Sequence, residues 1–312
     1  MNNRDRIPVI MDCDPGHDDA IALFFAHARE EIDIRLVSTV AGNQTVEKTT
    51  LNAQKIMSFL GIEAPVAMGA AKPLFRDLIT AEALHGESGL DGPVLPDARK
   101  PLAKLPAFPM MVRVLETSER PVTIVSTAAL TNVGLLLLLR PDLKSKIERI
   151  SLMGGALTGG NWSPSAEFNI LVDPEAAHVV FSSELPIIMS PLEVTHRALI
   201  TASDIERIRA IDGRSALLVA ELLDYFWKVH ERVGFTGAPL HDLCAVAALV
   251  APEIFQGREA QVQVEYGGIY SSGATIVNLV NSPDSEANVK VFLDVDREAF
   301  VDLLVAALET LN

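Results

Sequence analysis

The sequence predicts an α/β fold, an open, mostly parallel, doubly wound (Rossmann-like) sheet with a helical excursion in its C-terminal third. Three observations predict it. Short apolar runs rich in branched residues, such as Ile7 to Met11 and Ile147 to Met153, show no polar alternation, as strands buried on both faces do. Stretches with apolar residues at helical spacing follow these runs in alternation, the order that builds parallel strands with right-handed crossovers. Several runs end in glycine, asparagine or acid, which gathers polar groups at the strands' carboxyl ends, where open α/β sheets bind ligands.

The first strand, Ile7 to Met11, runs into Asp12-Cys-Asp14-Pro-Gly16-His-Asp18-Asp19, where Pro15 and Gly16 break it. From Asp18 the apolar residues Ile21, Leu23, Phe24, Phe25 and Ala28 mark a helix. Ile34 to Val40 is the second strand, ended by Ala41-Gly42-Asn43, and Thr45 begins a helix to Leu60. Pro65 to Met68 is the third strand. The stretch from Gly69 to about Pro109 is rich in Pro and Gly, and loops this long are usually functional or mobile. A helix to about Ser118 leads into the strand Val122 to Val125, and Leu130 to Asn132 opens another helix. Ile147 to Met153, ended by Gly154-Gly155, precedes a polar loop from Thr158 to Asn169. Asp173-Pro174-Glu175 starts a helix with acid and proline where both are favoured, and Ile187 to Met189 is a further strand. Beyond residue 195 come three helical stretches, Ala202 to Ile211, Ser215 to Val233 and Asp242 to Val250. Strands at Gln261 to Tyr266, Thr275 to Val280 and Val289 to Val295 follow, then a final helix, Arg297 to Leu311. No Ser-rich or charged linker divides the chain, so residues 1–312 read as one domain.

Composition excludes several classes. With 26 basic and 41 acidic residues the net charge is −15, and no basic run with interleaved aromatics is present, so a nucleic acid polymer is not an expected partner. The N-terminal Met-Asn-Asn-Arg-Asp-Arg has no long apolar stretch behind it, and no apolar run, Val133 to Leu139 among them, is long enough to span a bilayer. Two cysteines, Cys13 and Cys244, make no disulfide framework and fit a reducing, cytoplasmic setting.

The chemistry concentrates in the first strand-to-helix turn, with four carboxylates inside eight positions. A helix cap by Asp18 or Asp19, or a turn at Asp14, accounts for any one of them. Four together repel unless a cation or shared protons offset them, and with no zinc-type Cys or His pairing nearby a hard divalent cation is the economical partner. Asn43, Thr127, the Gly154-Gly155 turn and the loop Asn161 to Asn169 all follow predicted strands and so converge on the same sheet edge. Asn161, Glu167 and Asn169 suit sugar hydroxyls, although a solvated loop carries such residues as well. His241-Asp242 precedes an apolar helical run, where Asp242 also suits a helix cap. His27 and His178 fall in helical patterns and read as solvated, and His17 as packed beside the turn.

The chain resembles the inosine-uridine-preferring nucleoside hydrolase family over nearly its whole length. The residues that carry the resemblance are Asp12-Cys-Asp14-Pro-Gly16-His-Asp18-Asp19, Val40-Ala-Gly-Asn43-Gln-Thr45, His85-Gly86-Glu87-Ser88-Gly89, Leu152-Met153-Gly154-Gly155, Ala166-Glu167-Phe168-Asn169-Ile170, Asp173-Pro174-Glu175-Ala176-Ala177 and His241-Asp242. The resemblance implies hydrolysis of the N-glycosidic bond of ribonucleosides to base and ribose, a tightly bound Ca2+, and a homotetramer or homodimer. It makes Asp14, Asp19, Asp242 and the main-chain carbonyl of Thr127 ligands of the calcium, with Asp14 also the general base on the attacking water. Asp18, Asn169 and Asp242 are then the partners of the lower hydroxyls, and Asn161 and Glu167 of the 5′-hydroxyl. Asn43 matches a position in the ribose pocket, His241 the proton donor to the departing base in the purine-handling members, and His85 a loop that closes near the base.

Near Tyr225 to Pro239 the resemblance borders the base, and His230 stands where some relatives carry tyrosine; it is either an extra donor or a solvated residue on its helix. With His85 and His241 both present, broad purine and pyrimidine specificity is the expectation. Two other classes are kept. Asp12-Cys-Asp14 after a first strand also suits an aspartate-based phosphatase, although no later lysine and second acidic pair complete that set. A non-catalytic calcium-dependent ribose or nucleoside-binding protein needs the same ligands without the base and acid.

Overall fold

The computed structural model describes residues 6–280 and 287–311, so of the N-terminal hexapeptide only Arg6 lies within the described residues. In chain order the elements begin with β1 (Ile7–Cys13), α1 (His17–Ala28), β2 (Ile32–Thr39), α2 (Val46–Leu60), β3 (Val66–Met68), α3 (Glu82–His85) and α4 (Ala107–Thr117). They continue with β4 (Val122–Ser126), α5 (Thr131–Leu139), β5 (Ile147–Met153), α6 (Phe168–Val172), α7 (Pro174–Phe181), β6 (Ile187–Ser190) and α8 (Leu192–Thr195). Then follow β7 (Leu199–Ile200), α9 (Ala202–Arg209), α10 (Arg214–Glu231), β8 (Ala238–Pro239), α11 (His241–Val250), β9 (Phe255–Glu265), β10 (Ala274–Asn278), β11 (Val289–Val295) and α12 (Arg297–Glu309).

Among the described residues nine strands form one sheet in the order β10-β9-β11-β6-β5-β4-β1-β2-β3. Every pair from β3 to β11 is parallel, β9 runs antiparallel to β11, and β10 antiparallel to β9. The doubly wound expectation is met: β1 leads outward through β2 to β3 on one side, and the chain then returns to add β4, β5 and β6 on the other. The crevice between β1 and β4 is the switch point at which such sheets bind ligands. Alternation along β1 explains the two-sided burial. Val9, Met11 and Cys13 join a core with α1, α10, α11 and α12, whereas Ile10 joins the opposite core with α4, α5 and α7.

Three departures from the expected elements have physical causes. The excursion is smaller than expected: α9 and α10 alone leave the sheet, bracketed by the antiparallel ribbon of β7 and β8, while α11 returns to pack on α1 and β5. Residues His241 to Ala248 are all buried, and a helix apolar on nearly every face belongs in a core. Strand β9 begins at Phe255 rather than Gln261, because its exposed polar residues Gln256 to Glu259 mask an antiparallel strand. Within the long irregular stretch, α3 folds as a short helix that buries His85.

Asp173, read as a helix start, does more than cap. Its carboxylate accepts from Ala176 N at 3.0 Å, Leu74 N at 2.9 Å and Thr131 Oγ1 at 2.7 Å, tying α7, α5 and the irregular stretch together. An Asp173→Ala change strands three donors and is expected to destabilise the protein by about 2–4 kcal/mol in urea denaturation. A change under about 0.5 kcal/mol would remove this residue from the framework of the fold.

Candidate active site

The parallel strands deliver their polar ends to one edge. Asp14 follows β1, Asn43 follows β2 and Thr127 follows β4. Asp18 and Asp19 stand in the first turn of α1, and the first turn of α11 brings in Asp242 from a remote part of the chain. One oxygen each from Asp18, Asp19 and Asp242 lie within 4.8 Å of one another. Asp14 joins this trio through Asn43, whose amide donates to Asp14 Oδ1 at 3.2 Å and to Asp19 Oδ2 at 3.0 Å, while Asn43 N donates to Asp14 Oδ2 at 2.7 Å. Asp19 also accepts from Thr127 Oγ1 at 2.7 Å and from Gly16 N at 3.1 Å. The helix-capping alternative is therefore true of Asp19 and does not exhaust it.

All four carboxylates are buried, and among the described residues none forms an ion pair with Lys, Arg or His. Burial, then the charge of Asp19, pushes Asp14 well above the carboxylate range, and the same two causes push Asp18 up to about 8. Burial and then Asp18, Asp19 and Asp14 push Asp242 well up, and burial raises Asp19 against the Thr127 and Gly16 bonds. Such a set favours either bound protons or a cation. Gly42 is essential to the packing, since a Cβ there would collide with the Asp14 carboxylate.

Asp12 faces the other core. Its Oδ1 accepts from Ser38 Oγ at 2.6 Å and Asn132 Nδ2 at 2.8 Å, and burial lifts it to about 6. It is thereby a tie between β1, β2 and α5.

A cavity of about 320 Å3 opens from the acidic group. Its polar end carries Asp18, Asn43, Thr127, Glu167, Asn169 and Asp242, and Asn161 stands exposed at its rim. Asn169 Nδ2 donates to the Thr127 carbonyl at 3.0 Å. Glu167 caps α6, accepting from Asn169 N, Ile170 N and Gly155 N, and burial raises it to about 7. Gly155 reaches that carboxylate from a left-handed backbone, φ 82°. Asn161 Oδ1 accepts from Phe168 N at 3.0 Å.

The opposite wall is made of rings. His85 stacks near Phe226, Phe226 meets His230 edge to face, and His230 meets Phe235 in the same way. His196 closes the series against Phe235 and His241. Burial holds His241 and His85 well below the usual imidazole range, with His196 the next cause for His241 and His17 for His85, so both rings are neutral near pH 7. His241 Nδ1 lies 2.8 Å from Thr195 Oγ1.

The structure brings the sequence-selected residues Asp14, Asp18, Asp19, Asn43, His85, Thr127, Asn161, Glu167, Asn169, His230, His241 and Asp242 to one site. His230 is buried, with Nδ1 2.9 Å from Phe226 O, so it is not the solvated residue that was one alternative. His27 and His178, expected to be solvated, are both half-buried, and His178 also packs against the exposed Tyr266. His17 does pack beside the turn, where it stacks on Tyr225 and contacts His85 Nδ1 and the Asp91 carbonyl. Met153, Trp162, Phe168, Thr195, His196 and Phe226 were missed. An isolated Trp in a polar loop was the available signal for Trp162; the others look like ordinary core residues until the fold places them.

The sequence matches the family model of the inosine-uridine preferring nucleoside hydrolase over residues 9–302. It is 51% identical over 306 residues to the pyrimidine-specific ribonucleoside hydrolase RihA of Salmonella typhimurium, covering 97% of this chain and 98% of the relative. The enzyme of the same name from Escherichia coli O1:K1 is 50% identical with the same coverage. The fold superposes on the purine-preferring ribonucleoside hydrolase from Gardnerella vaginalis with a TM-score of 0.91 at 28% identity, covering 97% of this chain and 98% of that one.

Proposed function

This chain belongs to the inosine-uridine preferring nucleoside hydrolase family and is a ribonucleoside hydrolase, and from that premise we propose that it prefers pyrimidine ribonucleosides and works with Ca2+. One observation carries the proposal: a single cavity joins buried carboxylates that have no ion-pair partner to a wall of neutral histidines and aromatic rings. The acids suit a ribose diol and the rings suit a planar base. Family membership sets aside the phosphatase and the non-catalytic alternatives.

An oxygen-only donor set without a protein cation fits a hard metal, and mixed carboxylate and carbonyl donors fit calcium. Asp14, Asp19, Asp242 and the Thr127 carbonyl are the proposed ligands, with Asp18 close enough to assist. When bound, Ca2+ supplies a positive centre that holds the ribose 2′- and 3′-hydroxyls and orients the attacking water. Asp14 takes a proton from that water as its oxygen bonds to C1′. The C1′–N bond breaks, its electron pair moves onto the base, which leaves as an anion and takes up a proton from solvent while Asp14 releases the one it accepted, and neighbouring carboxylates stabilise the oxocarbenium-like sugar. Asp18, Asn169 and Asp242 hold the lower hydroxyls; Asn161 and Glu167 hold the 5′-hydroxyl. Asn43 positions Asp14 against Asp19. Because His241 is neutral, it serves as a hydrogen-bond donor to the departing base rather than as an imidazolium acid, with His85 and His230 beside it. We also retain the homodimer or homotetramer and the cytoplasmic setting as proposals; among the described residues no helix is long and apolar enough to cross a membrane.

The base preference rests on the two pyrimidine-specific relatives and on a cavity near the small end of the range for ligand sites, about 300–1,000 Å3. Steady-state kinetics on uridine, cytidine and inosine test it. A kcat/KM advantage of about 100-fold for the pyrimidines is expected. Equal values would restore the broad specificity expected from His85 and His241, and no turnover of any nucleoside would overturn the function itself.

A further inference from the structure

We propose that Thr195 is a positioning residue that fixes the tautomer of His241, directing the Nε2–H into the cavity toward the departing base. This rests on the role given to His241 above and adds the group that makes that role possible. Thr195 ends α8, the short helix that leaves the carboxyl end of β6, and its side chain is fully buried. Its Oγ1 lies 2.8 Å from His241 Nδ1.

The direction of that hydrogen bond follows from what each group needs. Among the described residues the Thr195 hydroxyl has no other partner. If Nδ1–H donated to Oγ1, the hydroxyl hydrogen would be buried with no acceptor, at the cost of an unmade hydrogen bond. If the hydroxyl donates to Nδ1, both groups are satisfied. A neutral imidazole carries one ring proton, so accepting at Nδ1 places that proton on Nε2. Nε2 has no protein partner among the described residues, and the ring lines the cavity. Thr195 thus converts a ring able to face the base as acceptor or donor into a fixed donor. The His196 ring, edge-on at 5.6 Å, restricts the ring from the side.

The test compares a leaving group that needs help with one that does not. Uridine requires a donor at its base; 4-nitrophenyl β-D-ribofuranoside expels a stable phenolate and does not. Thr195→Val keeps the shape and removes the hydroxyl, and Thr195→Ala removes it a second way should the valine variant fail to fold. Either is expected to lower kcat on uridine by about 10- to 100-fold, the effect of losing a group that orients a functional histidine. KM on uridine and kcat on the nitrophenyl riboside should stay within about threefold of the parent. Thr195→Ser should restore uridine turnover. Equal loss on both substrates, unchanged uridine turnover, or a serine variant as impaired as the valine variant would overturn the proposal. A His241→Ala enzyme that keeps uridine turnover would overturn the underlying role of His241, and the proposal with it, even if the Thr195 variants behaved as expected.

Discussion

An Asp14→Asn variant is expected to lose uridine hydrolysis by at least about 10³-fold while keeping its fold. Asp14 leaves the end of β1 with a fully buried carboxylate, and Asn43 engages both oxygens through its main-chain N–H and its amide. Asparagine keeps the size and removes the charge, so it neither takes the water's proton nor balances a cation. Loss of a general base alone costs about 10²–10⁴-fold, and loss of a proposed ligand adds to it. Stability meets two opposed changes: burial first and the Asp19 charge next disfavour a charge at Asp14, which asparagine removes, but its Nδ2 replaces one of the two oxygens that accept from Asn43, so the metal-free variant should melt within about 5 °C of the metal-free parent. Turnover, metal content and thermal melting of parent and variant check all three points. A variant that binds Ca2+ and keeps turnover within tenfold would end the assignment of Asp14 as base.

The fold was legible because its strands are buried on both faces and therefore read as unbroken branched runs: Ile7 to Met11 and Ile147 to Met153 fall within β1 and β5. Elements whose signal is diluted by exposure or brevity were harder. Strand β9 hides behind Gln256 to Glu259, and α3, α8 and the β7–β8 ribbon are too short to show a period. The acidic half of the site was legible for a local reason, since four acids in one turn repel and so demand an explanation. The ring-lined half was not. Phe226, His196 and Thr195 are common residues in helical contexts, and only the return of the chain through β8 to α11 sets them around His241. The pair His241-Asp242 stood out ahead of its helix, but only the resemblance gave it a role beside Asp19, for the same reason: no local pattern joins the two stretches.

Stripping the enzyme of divalent metal should remove more than about 99% of uridine turnover, and Ca2+ should restore it, because the site otherwise holds repelling acids. The same experiment has a stability readout whose sign is fixed. Asp14, Asp18 and Asp242 have folded pKa values above their unfolded value near 3.8, by burial first and mutual repulsion next. The neutral forms support the fold fully below about pH 4, and that support is lost as pH rises through the folded values, about 8 for Asp18. Histidines act oppositely at lower pH. His17, held near 4, and His85 and His241, held well below their usual range, all by burial, make the fold more stable as pH rises toward about 6.5. From about pH 7.5 to about 8.5 the histidines are close to neutral in both states, so the carboxylates dominate the slope. The melting temperature of the stripped protein should fall across this window. Glu167, raised to about 7, contributes to the fall with or without metal, because it is bound by three main-chain N–H groups rather than by the acidic trio. The difference between the calcium-loaded and stripped melting temperatures cancels Glu167 and isolates the aspartates. That difference should widen from about pH 7.5 to about 8.5 as the cation displaces the protons the site would otherwise keep. A gap that narrows over this window, or a stripped enzyme with full turnover, would mean that the acidic cluster is satisfied by shared protons and not by a metal.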